Sequence, residues 1–153
     1  MSRAFVKEDA ARLEPLPDRP ISQHPNLVTA EGLALIDAQL AEIRERQARA
    51  VAADDREALA QIGRDARYWS ARRASAQVVP PTASTSEVAF GSTVTITRDD
   101  GRRHTWRIVG EDEADPANGT LSYVSPMART LLGKAVGDVV QAGNAEAEIV
   151  AID

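Results

Sequence analysis

Between Leu33 and Ala76 the apolar residues fall into two stripes at three- and four-residue spacing, which restricts this stretch to helices. The first stripe is Leu33, Ile36, Leu40, Ile43, Gln47 and Ala50. The second is Leu59, Ile62, Ala66, Trp69, Arg73 and Ala76. Read in opposite directions they mirror each other, with Leu33 facing Ala76, Leu40 facing Trp69 and Ile43 facing Ala66. An antiparallel coiled-coil hairpin turning between Asp54 and Asp55 would set large side chains against small or flat ones, layer by layer. Gln47 and Arg73 are polar breaks in that seam. Thr29 is placed to cap the first helix, and Glu31 puts negative charge in its first turn.

The segments around the hairpin follow different rules. Residues 1–26 hold Pro15, Pro17, Pro20 and Pro25, a density that opposes helix and predicts an extended arm, either loosely held or engaged by a partner. Residues 27–78 form the hairpin. Residues 79–86 begin a new regime: Pro80 and Pro81 stop any helix, and the Thr, Ala and Ser that follow read as a solvated linker. From Glu87 to Asp153 the period becomes strand-like. Val94 and Ile96 alternate with threonines, Asp99-Asp100-Gly101 reads as a hairpin turn, and Thr105 to Val109 returns. A strand at Leu121 to Val124, a short helix at Met127 to Leu132 ended by Gly133, and strands at Val139-Val140 and Glu146 to Ile152 complete the pattern. The expected fold class is α+β: a helical hairpin followed by a small antiparallel sheet carrying one short helix.

Charge narrows the choice of partner. The net charge of −5 comes entirely from residues 79–153, where six basic residues face eleven acidic ones. An acidic sheet unit is poorly suited to gripping phosphates, so a protein partner is favoured over nucleic acid. With no cysteine, disulfides and thiolate metal sites are excluded and a reducing compartment is permitted. No apolar run approaches the ~20 residues of a membrane span, and the mixed charges of the first twenty residues hold no apolar signal core. A cytoplasmic monomer without membrane contact is the expectation.

Free-standing chemistry is scarce. Ser125 with His104 lacks a nucleophile elbow, and His24 with His104 makes no zinc set. Gly133-Lys134 lacks the spaced glycine of a phosphate loop. The acidic run Glu111 to Asp115 lacks calcium-loop spacing and reads as a solvated loop. Trp69 and Trp106 read as core residues of hairpin and sheet. Tyr68, beside Trp69, points another way and is available to pack against the C-terminal unit. Met127 divides between core packing and partner contact. No catalytic residue and no stably bound cofactor is expected.

Three blocks carry a family resemblance. Leu27-Val28-Thr29-Ala30-Glu31-Gly32-Leu33 resembles the entry into the first helix of the Gre family of bacterial transcript cleavage factors. Phe90-Gly91-Ser92-Thr93-Val94 and Arg107 to Glu113 resemble the opening strands of its C-terminal domain, and Ser125-Pro126-Met127-Ala128-Arg129 resembles its signature. The resemblance spans residues 27–153 and leaves the arm outside. It implies an FK506-binding-protein-like C-terminal domain. It implies docking on bacterial RNA polymerase through Val124, Ser125, Pro126, Met127 and Arg129, with contact to nucleic acid only through the transcription complex. The hairpin would enter the polymerase's secondary channel and lend carboxylates to a second, transient magnesium ion at the active centre, where two-metal hydrolysis cuts backtracked RNA. Asp54, Asp55 and Glu57 stand where such carboxylates would be.

The chain departs from the pattern twice. Each arm is only about 24 residues, ~36 Å, some two to three turns shorter than the family's hairpin. Val124 also replaces a residue that is often polar. The tip therefore has two readings: metal ligands at Asp54, Asp55 and Glu57, or Asp54 as a helix cap with Glu57 completing a capping box. The reading that follows is a polymerase-binding regulator whose cleavage stimulation is weak or absent. The alternatives are a polymerase binder of the nucleoside diphosphate kinase regulator type, a prolyl isomerase, or a module that dimerises through its hairpin.

Overall fold

The computed structural model describes residues 16–153. The first fifteen positions of the expected arm, Pro15 among them, lie outside the described residues. Helix α1 (Ala30–Ala52) begins at Thr29, whose hydroxyl accepts the Gly32 N–H at 3.0 Å. Helix α2 (Arg56–Ser75) begins at Asp55, whose carboxylate accepts the Ala58 N–H at 3.1 Å. The turn between them spans Ala53 to Asp55, and Asp54 takes a left-handed φ of 49°. The helices run back along each other, so Arg46 reaches Asp65 at 3.3 Å and Arg73 reaches Asp37 at 2.7 Å. Ile43, Ala50 and Ile62 are buried between them, with Leu59, Ala66 and Trp69 packed around.

Two expectations about this pair need correction. The cap of α2 is Asp55 rather than Asp54, and the third helical position is Ala58, so Glu57 completes no capping box. The turn needs one residue in the left-handed region, and Asp54 fills it, which moves the cap one position on. The seam also slips near its base, where Arg73 is exposed and Arg72 is 1% exposed, and Gln47, nearer the tip, is exposed as well.

At the foot of the pair, β1 (Leu27–Val28) and β2 (Gln77–Val78) make a two-stranded parallel clip. The exposed run from Pro80 to Glu87 leads from it to the sheet. The sheet contains β3 (Thr93–Arg98), β4 (Arg103–Val109), β5 (Thr120–Ser122), β6 (Val139–Ala142) and β7 (Ala145–Ile152), in the order β5-β4-β3-β7-β6. It is mixed, not antiparallel as expected, because β5 pairs with β4 in parallel. Residues 110–119, folded as two 3-10 turns, carry the chain back along the sheet so that β5 enters in the direction of β4. Alternation sends Val94, Ile96, Ile108, Leu121, Val140, Ala147 and Ile149 to one face, where Ala128 and Leu131 of α3 (Pro126–Leu131) cover them.

Among the described residues no helix is long and apolar enough to cross a membrane.

Candidate functional site

The Ser-Pro block is a helix start. The Ser125 hydroxyl accepts the Ala128 N–H at 3.2 Å, and Pro126 occupies the first helical position, where its missing N–H costs nothing. The turn is rigid and surface-borne: Pro126 and Arg129 are exposed, while Val124, Ser125 and Met127 are half-buried. Met127 combines both roles weighed for it. It packs against the sheet core and also lines a shallow cleft with Pro126, Thr130, Gln141 and Gly143. Val124, Ser125, Pro126, Met127 and Arg129 are thus carried on one turn and the start of α3, with Pro126 and Arg129 exposed.

The second predicted group, at the hairpin tip, is less converged. Asp55 is occupied as a cap, Asp54 is exposed on the turn, and Glu57 is exposed in the first turn of α2. Among the described residues no three histidines or carboxylates gather as a metal site.

A third cluster was misread from the sequence. The acidic run expected to be a solvated loop is a 3-10 turn, Glu111–Glu113, folded onto the helical pair. Arg72 Nε meets Asp112 Oδ2 at 2.6 Å, and Arg72 Nη2 donates to Asn26 Oδ1 at 2.7 Å. Glu111 Oε2 stands 3.6 Å from the same guanidinium. The Tyr68 hydroxyl donates to Asp112 Oδ1 at 2.5 Å, so Tyr68 does face the C-terminal unit. Burial, followed by the bond to Asp112 and the charge of that carboxylate, pushes the Tyr68 phenol up to about 12.

Beside this cluster Glu113 reaches the start of α1. Its carboxylate accepts the Thr29 N–H at 3.0 Å, the Gly110 N–H at 3.1 Å and the Thr29 hydroxyl. A carboxylate at a helix N-terminus meets both orphan N–H groups and the positive end of the dipole. Gly32 makes room for it, since a Cβ there would overlap the Glu113 side chain. Glu31, 3.6 Å from Arg107, is held below the usual carboxylate range first by its backbone hydrogen bond at the helix start, then by Thr29 and Arg107. The signal in the sequence for this junction is Gly32 itself. Glycine inside a helix costs about 1 kcal/mol and marks a close approach.

Comparison with known proteins follows this division. The family profile described as "Transcription elongation factor, GreA/GreB, C-term" matches residues 83–153, which cover the sheet and the Ser-Pro block. A transcription elongation factor GreB of Neisseria meningitidis serogroup B is 40% identical over 99 residues, covering 61% of this chain and 61% of its own length. The chain thus spans about three fifths of that relative. A GreA of Sphingopyxis alaskensis is 33% identical over 130 residues, covering 73% of this chain and 82% of the relative. A solved structure of GreA factor homolog 1 from Thermus thermophilus aligns over 85% of this chain and 99% of its own, with 26% identity and a TM-score of 0.42. One third identity across four fifths of a GreA protein, with the family profile spanning the whole sheet unit, makes this chain a member of the Gre family of bacterial transcription elongation factors.

Proposed function

We propose that the chain binds bacterial RNA polymerase and regulates elongation without catalysing a reaction itself. In this reading the sheet unit is FK506-binding-protein-like and docks at the rim of the secondary channel. The α1–α2 pair points inward, and contact with nucleic acid comes only through the transcription complex. The protein acts as a cytoplasmic monomer.

The observation that carries this reading is the Val124–Arg129 surface. A capped, proline-started turn holds Pro126 and Arg129 out to solvent beside the half-buried Met127, a rigid patch that loses little entropy on docking. A pull-down with bacterial RNA polymerase tests it. The intact chain is expected to be retained, and a Pro126→Ala/Met127→Ala variant to be lost or weakened. Failure of the intact chain to associate overturns the proposal.

Cleavage stimulation is proposed to be weak or absent. Helix α1 has 23 residues, about 35 Å, and magnesium needs oxygens at ~2.1 Å. A carboxylate some 10 Å short of the ion adds nothing to its coordination. The tip also offers few donors, since Asp55 is engaged by α2 and leaves Asp54 and Glu57. That set does not suit a resident magnesium, and at most it adds to ligands the polymerase supplies. A transcript-cleavage assay on backtracked complexes decides. Cleavage at the level of longer relatives, abolished by Asp54→Ala/Asp55→Ala, contradicts the proposal. The relatives named above are GreA and GreB proteins, which favours the elongation-factor reading over a prolyl isomerase.

A further inference from the structure

We infer that residues 16–26 are a strap that sets the direction of the α1–α2 pair relative to the sheet. This stretch lies outside the family profile, and the inference is independent of any polymerase contact. Its two ends are tied to different units. At one end Asp18 meets Arg67 Nε at 2.5 Å, and Arg19 meets Asp65 at 3.4 Å with its guanidinium 3.9 Å over the Tyr68 ring. At the other end the Pro25 carbonyl accepts the Tyr123 hydroxyl, which follows β5 of the sheet. Between them and the clip, Asn26 is buried. Its amide donates to the Arg72 carbonyl at 2.8 Å, and its oxygen accepts from the Arg72 guanidinium.

Leverage is what gives the strap its effect. The Arg72–Asp112 and Glu113–Thr29 contacts lie at the base of the pair, where a tilt moves atoms least. Asp65 lies ten residues before the end of α2, about 15 Å up the helix. A tie at that height resists tilt far better than an equal tie at the base. The strap is also short. The six steps from Arg19 to Pro25 span at most about 20 Å, the chain bends at Gln23 and His24, and prolines at 20 and 25 lower the entropy lost on ordering it. Each exposed ion pair is weak alone. Together with the Tyr123 hydroxyl bond at the other end, they limit one angle between two units that a short exposed linker would leave free.

The absence of cysteine makes the test direct. Val51→Cys at the end of α1 and Val139→Cys on β6, both exposed sites, accept spin labels, and pulsed electron resonance reads the distance between them. The labelled parent is expected to give one narrow distribution. Asp18→Ala/Arg19→Ala/Tyr123→Phe, which frees both ends and spares Arg72, is expected to broaden it about twofold, with circular dichroism and melting unchanged. Should that variant fold poorly, Asp18→Ala/Arg19→Ala changes only the outer tie and is expected to broaden the distribution as well. An unaltered distribution in a folded variant overturns the inference. So does broadening that appears only when Asp112→Asn is made, because the base contacts would then fix the angle by themselves.

Discussion

Among the described residues Arg72 is the largest of the fully buried side chains, and it sits where the helices meet the sheet. A buried charge costs several kcal/mol unless its partners are complete. Here Asp112 and Asn26 hydrogen-bond the guanidinium, and Glu111 adds negative charge 3.6 Å away. Asp112→Asn is therefore expected to destabilise the chain by about 3–5 kcal/mol, read by chemical denaturation, while Asp37→Asn, which loosens the exposed pair with Arg73, costs about 0–1 kcal/mol. Equal losses would show that burial at Arg72 does not govern the energetics. Tyr68 gives the junction a pH dependence. Its phenol is raised in the folded chain to about 12 from an ordinary value of 10.0. The fold favours the neutral form, so this contribution is full below about pH 10 and is lost as pH rises from about 10 to 12. Tyr68→Phe is expected to flatten the fall in melting temperature between about pH 10 and pH 12. Some slope remains, because burial also raises Tyr123. A variant that melts with the parent's full slope would remove Tyr68 from the account.

At the scale of elements, local rules were legible in the sequence and long-range ones were not. Thr29 caps α1 as its place before the apolar stripe announced, since a cap depends only on the next three residues. The β3–β4 turn was equally readable, with Gly101 at a φ of 82° where a hairpin needs left-handed backbone. The direction of β5 was not, because alternation says which face a side chain takes and nothing about which way its strand runs. Nor was the role of the acidic run. Asp112 finds Arg72 forty residues away, and from composition alone three adjacent carboxylates read as a solvated loop. Of the candidate surface, the Ser-Pro block was visible as a motif, whereas the junction was hidden in Gly32 and in an arginine one position off the seam. The tip offers a test of the local reading. Asp55→Ala is expected to cost about 1 kcal/mol through loss of the cap. Asp54→Gly is expected to be neutral or to stabilise by about 1 kcal/mol, because glycine enters the left-handed region without strain. Thermal melts of the two variants check this, and a reversed order would return the cap to Asp54.

Across the whole molecule the question is what holds the two units together. The covalent route from β2 to the sheet passes through exposed residues 80–87, whose Thr82, Ser84 and Ser86 hydrogen-bond, among the described residues, with one another alone. The noncovalent route is polar and largely buried: Glu113 on Thr29, and Asp112 on Arg72 and Tyr68. If the second route carries the load, lengthening the first should matter little. Doubling a loop costs only about 0.6 kcal/mol in closure entropy. Inserting eight Gly and Ser residues after Ser84 is therefore expected to lower the melting temperature by no more than about 2–4 °C in a domain of this size. The same insertion is expected to leave the spin-label distance between α1 and β6 unchanged. Asp112→Asn, with the linker intact, should do the reverse and lower the melting temperature well beyond that range. A large loss from the insertion, or a shifted distance, would mean that the short linker sets the arrangement and that the carboxylates of the 3-10 turn merely decorate it.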